Sequence, residues 1–421
     1  MIRAGIEAMN VFAGTASLDV SKLAKHRNLD PTRFDNLLMN EKTVALPYED
    51  PVTFGVNAAK PLIDALTPDE KDRIELVITS TESAFDFGKS MSTYIHSLLD
   101  LNRNCRLVEL KGACYSGVAG FQMAVNFILS QTSPGAKALV IASDISRYMV
   151  EDAGSALTED WSFAEPSGGS GAVAMLVSET PFVFQVDVGA SGYYGYEVMD
   201  TCRPSPDSEA GDADLSLLSY LDCCENSFLE YQKRVEGADY ESSFSYLAFH
   251  TPFGGMVKGA HRSMMRKMLR AAPEHIEADF HRRVMPGIMH CQRVGNIMGA
   301  TALLSLFSSI EHGDFETTKR IGCFSYGSGC CSEFFSGTST RESQGIVRAQ
   351  GFGEHLSRRY ELNMDEYDNL LCGEQGSKAI RFGTRNVVLD SSFAPQARQS
   401  QGKETLFLKE IDEFHREYEW V

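Results

Sequence analysis

The segment ELKGACYSGVAG, residues 109 to 120, constrains the fold more than any other stretch of the chain. Residues 105 to 110 read as a β-strand. A Gly-containing turn then delivers Cys114, and the chain continues as SGVAGFQMAVNFIL, small or apolar on every side. A helix without a polar face has to be buried inside a domain. A cysteine at the start of such a helix meets free backbone N–H groups and the positive end of the helix dipole, a setting that lowers a thiol pKa and makes a nucleophile. An isolated buried cysteine is more often a packing residue. Glu82 and His250, 32 residues before and 136 after Cys114, turn the balance towards chemistry.

The remaining pattern fits an α/β fold with an internal duplication. The strand IELVITS (74 to 80) ends in Thr81-Glu82, and SFSYLAF (243 to 249) ends in His250-Thr251-Pro252. After the first comes the helix led by Cys114; after the second comes GNIMGATALLSLFSSI, led by Asn296. ALVIASD, GAVAMLVSE and IGCFSYG are near-continuous apolar runs, as expected of strands covered by helices on both faces. Two similar halves, about 1–180 and about 181–421 of one domain, place Glu82, Cys114, His250 and Asn296 around a shared cleft. Residues 180–242, rich in Asp, Glu, Tyr and turn residues, read as an insertion over that cleft. From about residue 340 the chain reads as a surface-wrapping extension.

Composition narrows the function. A net charge of −18 argues against nucleic acid as a partner. The ten cysteines include adjacent pairs at 223-224 and 330-331, with no C-x-x-C and no zinc-spaced Cys/His cluster, so reduced thiols and no metal site are expected. No apolar run reaches about 18 residues and no signal pattern opens the chain, so a cytoplasmic protein that does not enter a membrane is expected.

Eight motifs follow one another over residues 1 to about 337: EDPVTF near 49, TSTES with Glu82, GACYSG with Cys114, SDISRY with Asp144, PSGGSGAVAML from 166, FHTPF with His250, GN with Asn296 and FSYGSG at 324 to 329. In this order they resemble the 3-hydroxy-3-methylglutaryl-CoA (HMG-CoA) synthases of the thiolase superfamily. The resemblance implies a thiolase-like fold of two pseudo-symmetric α/β halves in α-β-α-β-α layers, acting as a homodimer. It also implies that Cys114 takes an acetyl group from a donor thioester and that Glu82 removes a proton from the acetyl methyl. His250 and Asn296 would hold and polarise the acceptor carbonyl. Backbone N–H groups at Cys114 and in the Tyr326–Gly329 turn would supply an oxyanion site. Ser167, Ser216 and Ser328 are implied substrate contacts; Asp144 and Ser167 could equally act behind the site. Fatty-acid initiation synthases share a Cys–His–Asn set, but Glu82 sets this chain apart, because an acetyl carbanion needs a base that malonyl decarboxylation does not.

The family members of isoprenoid synthesis carry CoA-holding lysines where this chain has Gly255 and Gly259. Just beyond, Lys258, Arg262, Arg266 and Arg270 recur every four residues with no acid between them, a cationic stripe suited to acidic acyl carrier proteins. Arg33 is a second docking candidate. The segment TCRPSPDSEAGDADLSLLSYLDCCENSFLEYQKR resembles the branch of the family that serves polyketide β-branching. That branch takes acetyl from a donor carrier protein and adds it to a β-ketoacyl acceptor carrier protein, with no cofactor beyond the phosphopantetheine arm of its substrates. A mevalonate-pathway enzyme using acetyl-CoA and acetoacetyl-CoA is the nearest alternative, and a non-catalytic carrier-protein scaffold is another.

Overall fold

The computed structural model describes residues 2–146, 164–205, 208–372 and 383–421. Nine strands form the central sheet: β1 (Gly5–Phe12), β2 (Ile74–Ser80), β3 (Arg106–Leu110), β4 (Lys137–Asp144), β5 (Gly171–Ser178), β6 (Phe184–Gly195), β7 (Tyr246–Phe249), β8 (Lys319–Gly327) and β9 (Cys331–Ser339). Their order is β7-β8-β9-β6-β1-β5-β4-β2-β3. Read inwards from either side, a parallel pair (β7 with β8, β2 with β4) is followed by two antiparallel pairings, so the two sequence halves repeat one plan. The halves join at β1 and β6 through just two residue pairs, Gly5 with Gln185 and Ile6 with Phe184.

Helices complete five layers. The helix α1 (Pro51–Asp64) covers the outer face of the first half, where Phe54, Ala58 and Leu62 pack on Leu139, Ile141 and Leu176. Between the halves lie α2 (Ser116–Ser130) and α5 (Thr301–His312), whose apolar faces share one cluster with strands of both halves. On the far side α3 (Ala213–Arg234) and α4 (Gly254–Leu269) cover the second half. This is the thiolase-like α-β-α-β-α layering that the motifs imply.

Small residues let the middle layer form. A side chain at Gly117 would put its Cβ 2.1 Å from the Gly299 carbonyl oxygen, so α2 meets the segment leading into α5 backbone to backbone. At Gly120 a Cβ would press on Ser80 and Ile78 of β2. These contacts explain the small residues on the inner face of this helix; the helix is not buried on every side as expected, since Met123 and Asn126 on its other face are exposed.

Residues 184–195, inside the stretch expected to be an insertion, form β6, a core strand of the second half. Its glycines and polar positions hid it. Gly192 lies under α3 so closely that a Cβ would meet Ser227 O at 2.1 Å, which no side chain permits. The tail is in part buried, with Ala397, Leu406, Phe407 and Leu408 almost inaccessible. Its hairpin, Leu406–Asp412 and His415–Trp420, returns to the first half. There Asn57 bonds both backbone groups of Leu406. Asp50, which caps α1, also accepts hydrogen bonds from Arg416 and Tyr418, each at 3.0 Å.

Replacing Gly117 with alanine should destabilise the protein by roughly 3 kcal/mol, since the neighbour it meets is backbone and cannot turn aside. Urea denaturation of the two proteins measures this; equal midpoints would show that the two helix starts are free to move apart.

Candidate active site

The helices α2 and α5 begin in matching elbows. Ala113, in the left-handed region at φ 47°, opens the single turn Ala113–Tyr115 that runs into α2, with Cys114 in its middle. Met298, at φ 48°, opens the corresponding turn Met298–Ala300 before α5. Left-handed backbone at two non-glycine residues is strained, and it persists where the surroundings hold it. Gly299 is thus the structural counterpart of Cys114, and Asn296 stands three residues before it.

Strand ends bring the acid and the histidine. Glu82 follows β2 and is half-buried, its carboxyl turned inward to interact with the half-buried Cys114 thiol; its Oε1 is buried and has no partner among the described residues. Asp144, at the end of β4, organises this corner. Its Oδ1 accepts from Thr81 Oγ1 (3.0 Å), Glu82 N (2.7 Å), Ser83 N (3.1 Å) and Ser83 Oγ (2.9 Å), and its Oδ2 from Gly299 N (3.3 Å). Burial pushes both carboxyl groups up, and Glu82's charge adds to the effect on Asp144. The five donors make Asp144 the member of the pair that holds its charge, leaving Glu82 as the one able to take up a proton.

His250 follows β7 and is 1 % exposed. Its N–H donates to Phe324 O (2.7 Å), its carbonyl accepts from Tyr220 Oη (2.7 Å), and its Nδ1 lacks a partner among the described residues. Burial drops its pKa to about 3, so the imidazole is neutral at physiological pH.

The remaining candidates divide. Asn296 and Ser167 are brought together by a backbone bridge: Asn296 N donates to Ser167 O (2.7 Å) and Gly169 N to Asn296 O (2.9 Å). The Asn296 amide oxygen is occupied by Met298 N and Thr301 Oγ1, which hold the second elbow. Ser216 lies in the first turn of α3, four residues before Tyr220 and on the same face. Ser328 sits in the β8–β9 turn, which rests on the Cys114 loop: a Cβ on Gly327 would come within 2.6 Å of Gly112 O. One expectation is corrected. The Gly329 N–H, counted as an oxyanion donor, instead donates to Asp200 Oδ1 at 2.8 Å.

Sequence reasoning missed Asp200, which is buried and also accepts from Tyr326 Oη, and Arg203, whose Nη1 donates to Glu82 O at 2.9 Å. Asp200 stands in no motif, and the TCRPS segment that holds Arg203 gives no sign of its role; only the close return of the chain to β2 and to the β8–β9 turn reveals them. Likewise unsignalled are His290, Glu311 and His312, whose ligand-capable atoms lie within 4.8 Å of one another at the far end of α5. His290 and Glu311 bond each other, and His312 Nδ1 bonds Ser308 O at 3.0 Å, so these groups satisfy one another within the fold.

The stripe on α4 is partly as expected. Arg262, Arg266 and Arg270 are exposed and form no salt bridge among the described residues. Lys258 is half-buried and pairs with Glu277 at 2.7 Å, and Lys267 pairs with Glu225. His261, which stands between Lys258 and Arg262 in sequence, is buried against Tyr240. Beside the arginines runs a groove of about 1010 Å³ floored by Leu217, Leu221, Phe253 and Met256. Arg33 stands in the helical turn Pro31–Asp35, and its side chain lies outside the described residues. At Gly255 a Cβ would fall 1.8 Å from Asn36 O, so residues 36–38 close the place where a lysine would stand; Gly259 is open.

The comparisons with known proteins agree with this geometry. Residues 2–181 match the N-terminal model of hydroxymethylglutaryl-coenzyme A synthase and residues 259–420 the C-terminal one. The chain therefore belongs to the hydroxymethylglutaryl-CoA synthase family, whose members are acyltransferases that form C–C bonds. It is 69% identical, over the whole length of both chains, to the polyketide biosynthesis 3-hydroxy-3-methylglutaryl-ACP synthase PksG of Bacillus subtilis. Among solved structures, the curacin biosynthetic pathway HMG synthase in complex with acetyl donor-ACP superposes with a TM-score of 0.95 at 64% identity over all of both chains. MvaS in complex with 3-hydroxy-3-methylglutaryl coenzyme A superposes with 0.84 at 28% identity, covering 100% of this chain and 99% of that one.

The neutral state of His250 has a measurable consequence. Its folded pKa, about 3, lies below the usual 6.5, so the unfolded chain binds the extra proton and His250 erodes stability as pH falls from 6.5 towards 3. His250→Gln should lose stability less steeply over that interval, as measured by urea midpoints against pH. Parallel curves for the two proteins would show that His250 is protonated in the fold.

Proposed function

We propose that this protein is the HMG synthase of a polyketide β-branching pathway, with Glu82, Cys114 and His250 as its catalytic residues. The meeting of the Glu82 carboxyl with the Cys114 thiol at the head of α2, where burial pushes the acid's pKa up and the thiol draws it down, is the observation that carries the chemistry. The Cys114 thiolate attacks the acetyl carbonyl of a donor carrier-protein thioester and releases the carrier thiol, a nearly thermoneutral exchange. Glu82, a strong base because its carboxyl is buried, then takes a proton from the acetyl methyl. The carbanion attacks the β-keto carbon of the acceptor, and the proton on Glu82 passes to the new alkoxide. Water then hydrolyses the thioester on Cys114 and frees the carboxymethyl branch.

Neutral His250 donates a hydrogen bond to the acceptor carbonyl, with Asn296 beside it. Ser167, Ser216 and Ser328 contact the substrate arms, and the Cys114 backbone N–H stabilises the thioester enolate; one such donor is typically worth roughly 3 kcal/mol. No metal or redox group enters any step, and the phosphopantetheine arm arrives with the substrate.

Carrier protein rather than free CoA is the substrate form. The observation in favour is the backbone of residues 36–38 lying over Gly255, which fills the position of a CoA-holding lysine. Arg262 and Arg266, without salt bridges among the described residues, line an apolar groove with Lys258, and with exposed Arg270 they suit the acidic face of a carrier protein, for which Arg33 is a further candidate. The mevalonate alternative has no comparable feature in its favour, and a silent scaffold would have no use for the Glu82–Cys114 pair. A homodimer is supported by β3, whose outer edge is unpaired among the described residues while Leu107, Val108 and Leu110 are half-buried, an edge that a second copy can cover. The protein works in the cytoplasm beside its carrier proteins; among the described residues no helix is long and apolar enough to cross a membrane.

Glu82→Gln should still acquire acetyl on Cys114, seen by intact mass, while product formation falls roughly a thousandfold. Failure of a folded variant to acetylate would reassign Glu82 to the first step. Arg266→Glu should weaken donor carrier binding roughly tenfold by calorimetry, with alkylation of Cys114 by iodoacetamide unaltered. Equal affinity would remove α4 from the docking surface.

A further inference from the structure

Arg203 stands on the hairpin Thr201–Ser205/Ser208–Gly211, and no step above uses it. The hairpin is tightly rooted. Thr201 pairs with Gly211, Asp212 N donates to Asp200 O at 2.8 Å, and a Cβ on Gly211 would meet that same oxygen at 2.2 Å. Asp200 fastens the root to the Cys114 side of the cleft through Tyr326 and Gly329. From this base the Arg203 side chain crosses to the end of β2 and donates from Nη1 to Glu82 O at 2.9 Å.

Four groups interact with the buried Glu82 carboxyl, each from a different element: Asp144 at the end of β4, Cys114 at the head of α2, Cys331 at the start of β9 and Arg203 on the hairpin. Asp144 is an acid and the two thiols are neutral or anionic. Among the described residues Arg203 is the one cation that acts on Glu82. Asp144 keeps its charge through its five donors, whereas the Glu82 carboxyl, whose Oε1 has no partner among the described residues, depends on a positive charge nearby.

We propose that Arg203 is a positioning residue for Glu82: anchored on the Glu82 carbonyl, it fixes the strand end and sets a permanent positive charge beside the side chain, which keeps the base ionised once Cys114 carries acetyl. This rests on the assignment of Glu82 as the carbon base. It makes the hairpin part of the reaction centre, so that this segment also sets the pH range in which the acetyl methyl is deprotonated.

The test follows proton removal alone. The protein, Arg203→Gln and Arg203→Lys are acetylated on Cys114, and uptake of deuterium from heavy water into the acetyl methyl is read by mass spectrometry against pH. Exchange should fall on an acid limb where Glu82 becomes protonated. In Arg203→Gln that limb should move up by roughly one pH unit, a roughly tenfold loss at low pH that closes as pH rises. Arg203→Lys, which keeps the charge, should return the limb close to its original place. Exchange slowed by one factor at every pH, a limb that does not move, or a limb displaced equally by lysine and glutamine would overturn the proposal. Glu82→Gln separates the two ideas: a limb that survives in that variant means the assignment of Glu82 has failed, not that of Arg203.

Discussion

The carboxylate of Asp144 is the constraint on which the site depends. Four donors from Thr81, Glu82 and Ser83 converge on one of its oxygens, and the Gly299 N–H reaches the other. The first set fixes the turn that follows β2; the second ties that turn to the elbow before α5. One buried charge therefore joins the strand end of one half to the helix start of the other. An anion so placed is stable because every donor is charge-assisted, and it would be costly to leave any of them unpaired. Glu82 inherits its position from this knot and its protonation behaviour from the neighbouring charge.

The elbows work on the same principle of imposed backbone. Ala113 and Met298 hold left-handed conformations that bring Gly117 and Gly299 into backbone contact. That contact sets the separation of α2 and α5 and so the place of Cys114 within the cleft. His250 completes the site from the other sheet half, neutral because it is buried and oriented because both its backbone polar groups are engaged. Duplication has thus been put to unequal use. One half supplies the thiol and the acid; the other supplies the histidine and, at the position matching Cys114, a glycine small enough to let the halves meet.

What the sequence made legible was local. The strand–turn–helix around Cys114 could be read because small residues crowd its buried face, although its other face, with Met123 and Asn126, is exposed; the strand ends at Glu82 and His250 could be read because apolar runs stop there. The strand β6 was not legible, since glycines and polar residues interrupt it and its burial comes from α3 and β9, which are distant in sequence. Asp200 and Arg203 escaped for a similar reason: each acts through a contact more than a hundred residues away. The Tyr326–Gly329 turn was placed correctly beside Cys114, but the use of one of its N–H groups by Asp200 could only be seen in three dimensions. On α4 the four-residue spacing gave the exposed arginines correctly, while the pairing of Lys258 and the burial of His261 depend on Glu277 and Tyr240 in neighbouring segments.

The central claim is that a carrier protein delivers acetyl to Cys114. Intact-mass analysis of the protein incubated separately with acetyl-CoA and with an acetyl-loaded donor carrier protein tests it most directly. The account predicts an acetyl adduct on Cys114 that forms much faster from the carrier protein. Equal or faster loading from acetyl-CoA would contradict it and leave the arginines of α4 as an ordinary solvated face.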